Sequence, residues 1–117
     1  MKIIVLLTAL AGVLVSNLAS AHAHLHMSMP ANHSVVAEAP KQISLQFNEA
    51  VQLTAATIQK GDGPATKLGP LPDAAAKEFN LAAPALEPGN YIVKWRALSD
   101  DGHIMSDKLL FTIGPMK

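Results

Sequence analysis

The strongest constraint on how this chain folds is a one-for-one alternation of side chains in several short stretches. Tyr91, Val93 and Trp95 take every second position, with Ile92, Lys94 and Arg96 between them. Ile43, Leu45 and Phe47 alternate with Ser44, Gln46 and Asn48, and Leu109, Phe111 and Ile113 with Leu110 and Thr112. Leu25, Met27 and Met29 do the same against His24, His26 and Ser28. Successive side chains of a strand point to opposite faces, so this period predicts half-buried strands with one face turned to a core. On that pattern Met27 and Met29 are expected inside, as core filler rather than metal ligands. Trp95 is expected to anchor the core; the sequence leaves open whether its neighbour Arg96 pairs with an acidic side chain near Glu49 or Asp101. Leu53 to Gln59 and Glu78 to Leu81 are further strand candidates, while Ala74 to Phe79 has a short helical look.

The breaks between these stretches are equally informative. Lys60-Gly61-Asp62-Gly63-Pro64 and Leu86-Glu87-Pro88-Gly89-Asn90 are dense turn signals. Pro64, Gly69, Pro70 and Pro72 rule out long regular structure in the stretch that holds them. Short strands joined by such turns predict an all-β fold, an antiparallel β-sandwich.

The first residues stand apart. Lys2 precedes an apolar run from Ile3 to Val15, and small residues follow up to Ala19-Ser20-Ala21. This order is that of a secretory signal peptide, and the run is shorter than the roughly 20 apolar residues of a membrane span. Residues 1–21 are therefore expected to be removed, leaving one domain over residues 22–117. Ala21-His22-Ala23 offers a second cleavage point, which would leave His24 first. The chain has no Cys, so disulfide scaffolds, thiolate metal sites and Cys nucleophiles are excluded. Nine Lys and Arg balance nine Asp and Glu, which argues against a sequence-independent nucleic-acid partner.

Histidine carries the functional signal. The chain has five, and three of them (His22, His24 and His26) sit at alternate positions at the expected mature start. A new N-terminal His offers its α-amine and its own imidazole Nδ1 to one metal ion. One more nitrogen completes a T-shaped set that suits the tetragonal preference of Cu(II). His103 is the candidate, in the polar turn Ser99-Asp100-Asp101-Gly102-His103, where Gly102 permits a bend that turns Asp101 and His103 to one point. His22-Ala23-His24 is also a local amino-terminal chelate, built from the amine, two backbone amides and the His24 imidazole. Pro at the second position would forbid it, but Ala23 does not. His24 is thus a possible additional ligand.

These segments resemble a known family. Trp95-Arg96-Ala97-Leu98-Ser99-Asp100-Asp101-Gly102-His103 is similar to the W-R-x-x-S-x-D-G-H segment of CopC, the periplasmic copper-resistance and copper-binding proteins. His22-Ala23-His24-Leu25, with Pro30 beyond it, resembles the family's mature start. Ile43-Ser44-Leu45-Gln46-Phe47-Asn48-Glu49 resembles its L-x-F-[SN]-E strand, and Gly89-Asn90-Tyr91-Ile92-Val93 its G-x-Y-x-V. The resemblance implies a Greek-key β-sandwich or barrel, cupredoxin-like or immunoglobulin-like, of about seven strands. It implies a Cu(II) site made by His22, Asp101 and His103, with Glu49 close enough to accept a hydrogen bond from the amine or a ring N–H. It also favours cleavage after Ala21. The implied role is a monomeric periplasmic protein that buffers or carries copper without catalysis, handing it to an inner-membrane copper transporter or a copper efflux protein. The chain departs from the family pattern in lacking Met over Ile58 to Leu71, where some members hold a Cu(I)-binding cluster. His103-Ile104-Met105-Ser106 also lacks the Pro and Gly that often follow D-G-H.

Besides a purely structural immunoglobulin-like module with incidental His, for which the sequence names no partner, two metal-based functions compete with this one. A copper-dependent oxygenase also uses an N-terminal His, but one Trp and one Tyr make no flat sugar-binding platform, and an Asp101 ligand would fill the position oxygen needs. A nickel or zinc scavenger built on His22, His24 and His26 would be outcompeted by copper at such donors.

Overall fold

The computed structural model describes residues 23–114. The expected leader and His22 lie outside them. Seven strands form in order: β1 Leu25–Met29, β2 Ser34–Val36, β3 Gln42–Lys60, β4 Ala65–Lys67, β5 Ala76–Ala82, β6 Gly89–Ser99 and β7 Ile104–Ile113. No helix forms among the described residues. The short stretch Ala74 to Phe79 is instead the approach to β5 and its first half, because Phe79 and Leu81 alternate into the core.

β3, at 19 residues, organises the molecule. Ser44 pairs with Met29 of β1 and also with Asn80 of β5, so β1 and β5 lie on opposite edges of β3. Val51 pairs with Ala76 of β5 and also with Ser99 of β6, so β6 lies opposite β5 as well. β1 and β6 therefore share one edge of β3, end to end. β4 and β5 line the other edge. Beyond β6 come β7 and then β2, which runs parallel to β7, so the expected all-antiparallel sheet is in fact mixed. β2 is held by the preceding turn: the His33 N–H donates to Leu110 O at 2.6 Å and Asn32 Oδ1 accepts from the Leu110 N–H at 2.9 Å.

The sheet curls over one core. In β3 the buried positions are Ile43, Leu45, Phe47, Val51 and Leu53, then Ala56 and Ile58. The odd step from Leu53 to Ala56 coincides with a register shift against β6. The extra residue lets a single strand keep one face on the core as it bends. Trp95 is buried as expected. Its ring meets Phe47 edge to face, with centroids 5.1 Å apart, and Phe47 meets Phe79 at 6.0 Å. Such pairs add about 0.5–1.5 kcal/mol beyond the area they bury. Arg96 is exposed and forms no ion pair with Glu49 or Asp101.

β1 breaks the expected alternation. Its register slips between Leu25, opposite Phe47, and Met27, opposite Gln46. Leu25 still packs on the core, but beyond the bulge Met27 and Met29 share the outward face of Gln46 and Ser44. Both are exposed, at 53% and 69%, so neither fills the core.

Candidate metal centre

The 99–103 bend is built from inside out. Ser99 ends β6 and is buried, and its N–H donates to His103 O at 2.9 Å, closing the hairpin that Leu98 and Ile104 begin. The Gly102 N–H donates to Ser99 O at 3.0 Å. Gly102 has φ +90°, a region that L side chains avoid, so this bend needs glycine there. The Ser99 hydroxyl donates to Asp101 Oδ1 and accepts from the His103 N–H at 3.2 Å. The second carboxylate oxygen, Oδ2, lies 3.0 Å from His103 Nδ1. The Pro and Gly missing after His103 are thus unnecessary, because a buried hydroxyl ties the turn instead.

This network fixes the charge of Asp101. Hydrogen bonds from Ser99 first, and then from His103, lower its pKa from 3.8 to about 2. The carboxylate stays ionised well into acid, and both side chains remain more than half exposed. The pair is open to a cation. Two donors on adjacent corners of a metal square, at bonds of about 2.0 Å, lie roughly 2.9 Å apart. The separation of Oδ2 and Nδ1 matches that bite.

The start of β1 reaches the same place. The His24 N–H donates to Asn48 Oδ1 at 2.5 Å, and His24 O accepts from the Asn48 N–H at 3.1 Å. Ala23 tucks into the core, 7% exposed. β1 thus begins beside Asn48, and β6 ends beside Val51, on the same edge of β3. Glu49 lies between these two positions and borders a surface depression with Ala50, Val51, Leu98, Ser99 and Asp100. The His24 side chain is exposed at this end, whereas His33 sits by Leu110, well along β7 from the bend. Among the described residues no three His, Asp or Glu side chains converge on one point. Asp101 and His103 make a pair, and His22 lies outside the described residues.

The sequence profile of the CopC domain matches residues 25–114. The chain belongs to the CopC family. It is 35% identical over 113 residues to copper resistance protein C of Pseudomonas syringae pv. tomato, covering 88% of this chain and 89% of that one. It is 34% identical over 99 residues to protein YobA of Escherichia coli, covering 80% and 79%. The fold is similar to the crystal structure of CopC from Methylosinus trichosporium, with TM-score 0.69 and 33% identity over 82% of this chain and 97% of that one. It is also similar to PcoC, a methionine-rich copper resistance protein from Escherichia coli, with TM-score 0.61 and 30% identity over 80% and 100%. These CopC relatives tie the chain to copper and give it a β-sandwich.

Two residues that position the centre escaped the sequence reading. Ser99 is part of the motif, and a Ser hydroxyl that can bond nearby backbone groups is a general turn signal. Asn48 had no comparable signal, since its partner is the backbone of a distant strand.

Proposed function

We propose that this protein is a periplasmic Cu(II) carrier or buffer, with the ion held by the α-amine and imidazole of a mature N-terminal His22 and by Asp101 and His103. The observation that carries the reading is the end-to-end meeting of β1 and β6 on one edge of β3. It brings Ala23 and His24, the first described residues, to the same end of β3 as the 101–103 bend. The burial of Ala23 supports cleavage after Ala21, because cleavage after Ala23 would remove a core residue. Glu49 is the nearby acceptor for the amine or a ring N–H. The role is stoichiometric, without turnover, and delivery to an inner-membrane transporter or efflux protein follows from it.

The local chelate of His22-Ala23-His24 is the rival for the same terminus. It needs the Ala23 and His24 amide nitrogens as ligands. The His24 N–H is committed to Asn48 Oδ1 and the Ala23 methyl to the core. Forming it costs both contacts, so the mode that uses Asp101 and His103 prevails in the folded protein.

Two measurements test the assignment. The intact mass of exported protein is expected to correspond to residues 22–117. Cu(II) titration of Asp101→Ala and His103→Ala is expected to show losses of about a hundredfold or more, as for removal of a pre-arranged ligand. Unchanged affinity in both variants would sink the folded site.

A further inference from the structure

The geometry points to a second metal site, for a soft monovalent cation such as Cu(I), formed by Met27 and Met29 with the His26 imidazole on the outer face of β1. The argument starts from a pattern that runs backwards. In an ordinary edge strand the apolar side chains face the core and the polar ones face water. In β1 beyond the bulge the reverse holds. Ser28 takes the core-side phase, opposite buried Leu45, and satisfies its hydroxyl locally by donating to Pro30 O at 2.9 Å. Met27 and Met29 take the solvent side. Their neighbours across the sheet are polar: Gln46 and Ser44 on β3, then Glu78 and Asn80 on β5. Met27 also borders a surface depression with Leu25, His26, Asn32, Asp107 and Lys108, and Met29 is the more exposed of the two.

The bulge produces this arrangement. Without it Met27 would follow Leu25 inward. With it His26 is the inserted residue, so His26 and Met27 together face a single β3 position. Met27 and Met29 are two residues apart on one face, roughly 6.6 Å along the strand. Both side chains are unbranched and have three rotatable bonds, so their sulfur atoms can meet at one ion. Thioether sulfur with one imidazole nitrogen is a soft donor set, which suits Cu(I) and disfavours hard divalent ions. Nothing else among the described residues competes for the role. Met105 packs against the core cluster, and the stretch from Ile58 to Leu71 holds no Met. The site differs in donors and in place from the Asp101 and His103 pair, so it stands whether or not that pair binds Cu(II).

The test uses the mature protein, with Cu(I) supplied under reductant against a chromophoric Cu(I) chelator and Ag(I) as a redox-inert second probe. Leu is nearly isosteric with Met and lacks the donor, so the double variant Met27→Leu/Met29→Leu keeps the fold. It is expected to bind both probes at least about tenfold more weakly, with Cu(II) affinity unchanged; His26→Ala is expected to lose less. The Cu(I) form of the wild type should show sulfur neighbours by X-ray absorption. Asp101→Ala serves as the separating control, expected to lose Cu(II) and keep Cu(I). Wild-type Cu(I) affinity in the double variant would overturn the proposal, as would a Cu(I) form without sulfur neighbours. A double variant that changed only its oligomeric state would also overturn it and would make this face a protein-docking surface.

Discussion

Two polar, glycine-containing turns bound the long strands of this protein, and only one of them gathers donors. The turn after β3, Gly61 to Pro64, closes by the Gly63 N–H donating to Lys60 O at 2.8 Å, and its Asp62 points to solvent. Just before it, Lys60 at the end of β3 makes an exposed pair with Glu87 at 3.6 Å, of a kind that contributes little to stability. The 99–103 bend has the same residue types, but it hangs from a buried serine. The Ser99 hydroxyl aligns a carboxylate and a backbone amide, and the imidazole follows. Asp and Gly next to each other make a turn; a fixed anchor at the strand end also brings the Asp101 carboxylate and the His103 imidazole together.

That contrast can be broken by experiment. The largest effect is expected from a residue added before His22. The amine moves away, and Cu(II) affinity should fall by about a hundredfold or more, whereas an insertion at Asp62 should leave it unchanged. Equal losses from both would show that the two turns do not differ in function. Next comes Ser99→Ala. It leaves Asp101 and His103 in place without their tie, so we expect a loss of about tenfold in Cu(II) affinity and about 1–3 kcal/mol in stability by chemical denaturation. Asn48→Ala is expected to do less to total affinity and more to its character. With the His24 amide released, part of the copper should shift to the local chelate, visible as a shorter-wavelength d–d band that persists in an Asp101→Ala background. An unchanged spectrum would show that Asn48 does not select the mode.

The smallest effect is on acid stability. The Asp101 pKa is lowered from 3.8 to about 2 in the folded chain, so its stabilising contribution is present above 3.8 and fades as pH falls toward 2. Thermal scans of wild type and Asp101→Asn without metal should converge over that window. Cu(II) affinity is expected to fall as the pH is lowered, because a metal ion competes with protons for nitrogen donors.

Most strands were legible because their alternation is strict and their turns are marked. Ile43 to Phe47, Tyr91 to Trp95 and Leu109 to Ile113 face the core as the pattern requires. The misreadings share a cause in non-local pairing. Met27 and Met29 face outward because β1 slips against β3, and no residue in β1 announces the slip. β2 is three residues long and exists through its parallel pairing to β7 and the contacts of Asn32 and His33 with Leu110. Ala-rich residues leading to Phe79 looked helical because local propensity is weak there, and pairing with β3 decided otherwise.

Short-range chemistry in the chain was enough to establish an all-β fold, the turn at Gly102 and the joint presence of Asp101 and His103, since each depends on neighbours a few bonds away. The meeting of β1 with β6, the tie of His24 to Asn48 and the outward turn of the methionines belong to the folded molecule. They depend on register between strands distant in sequence, where one inserted residue reverses every side chain that follows.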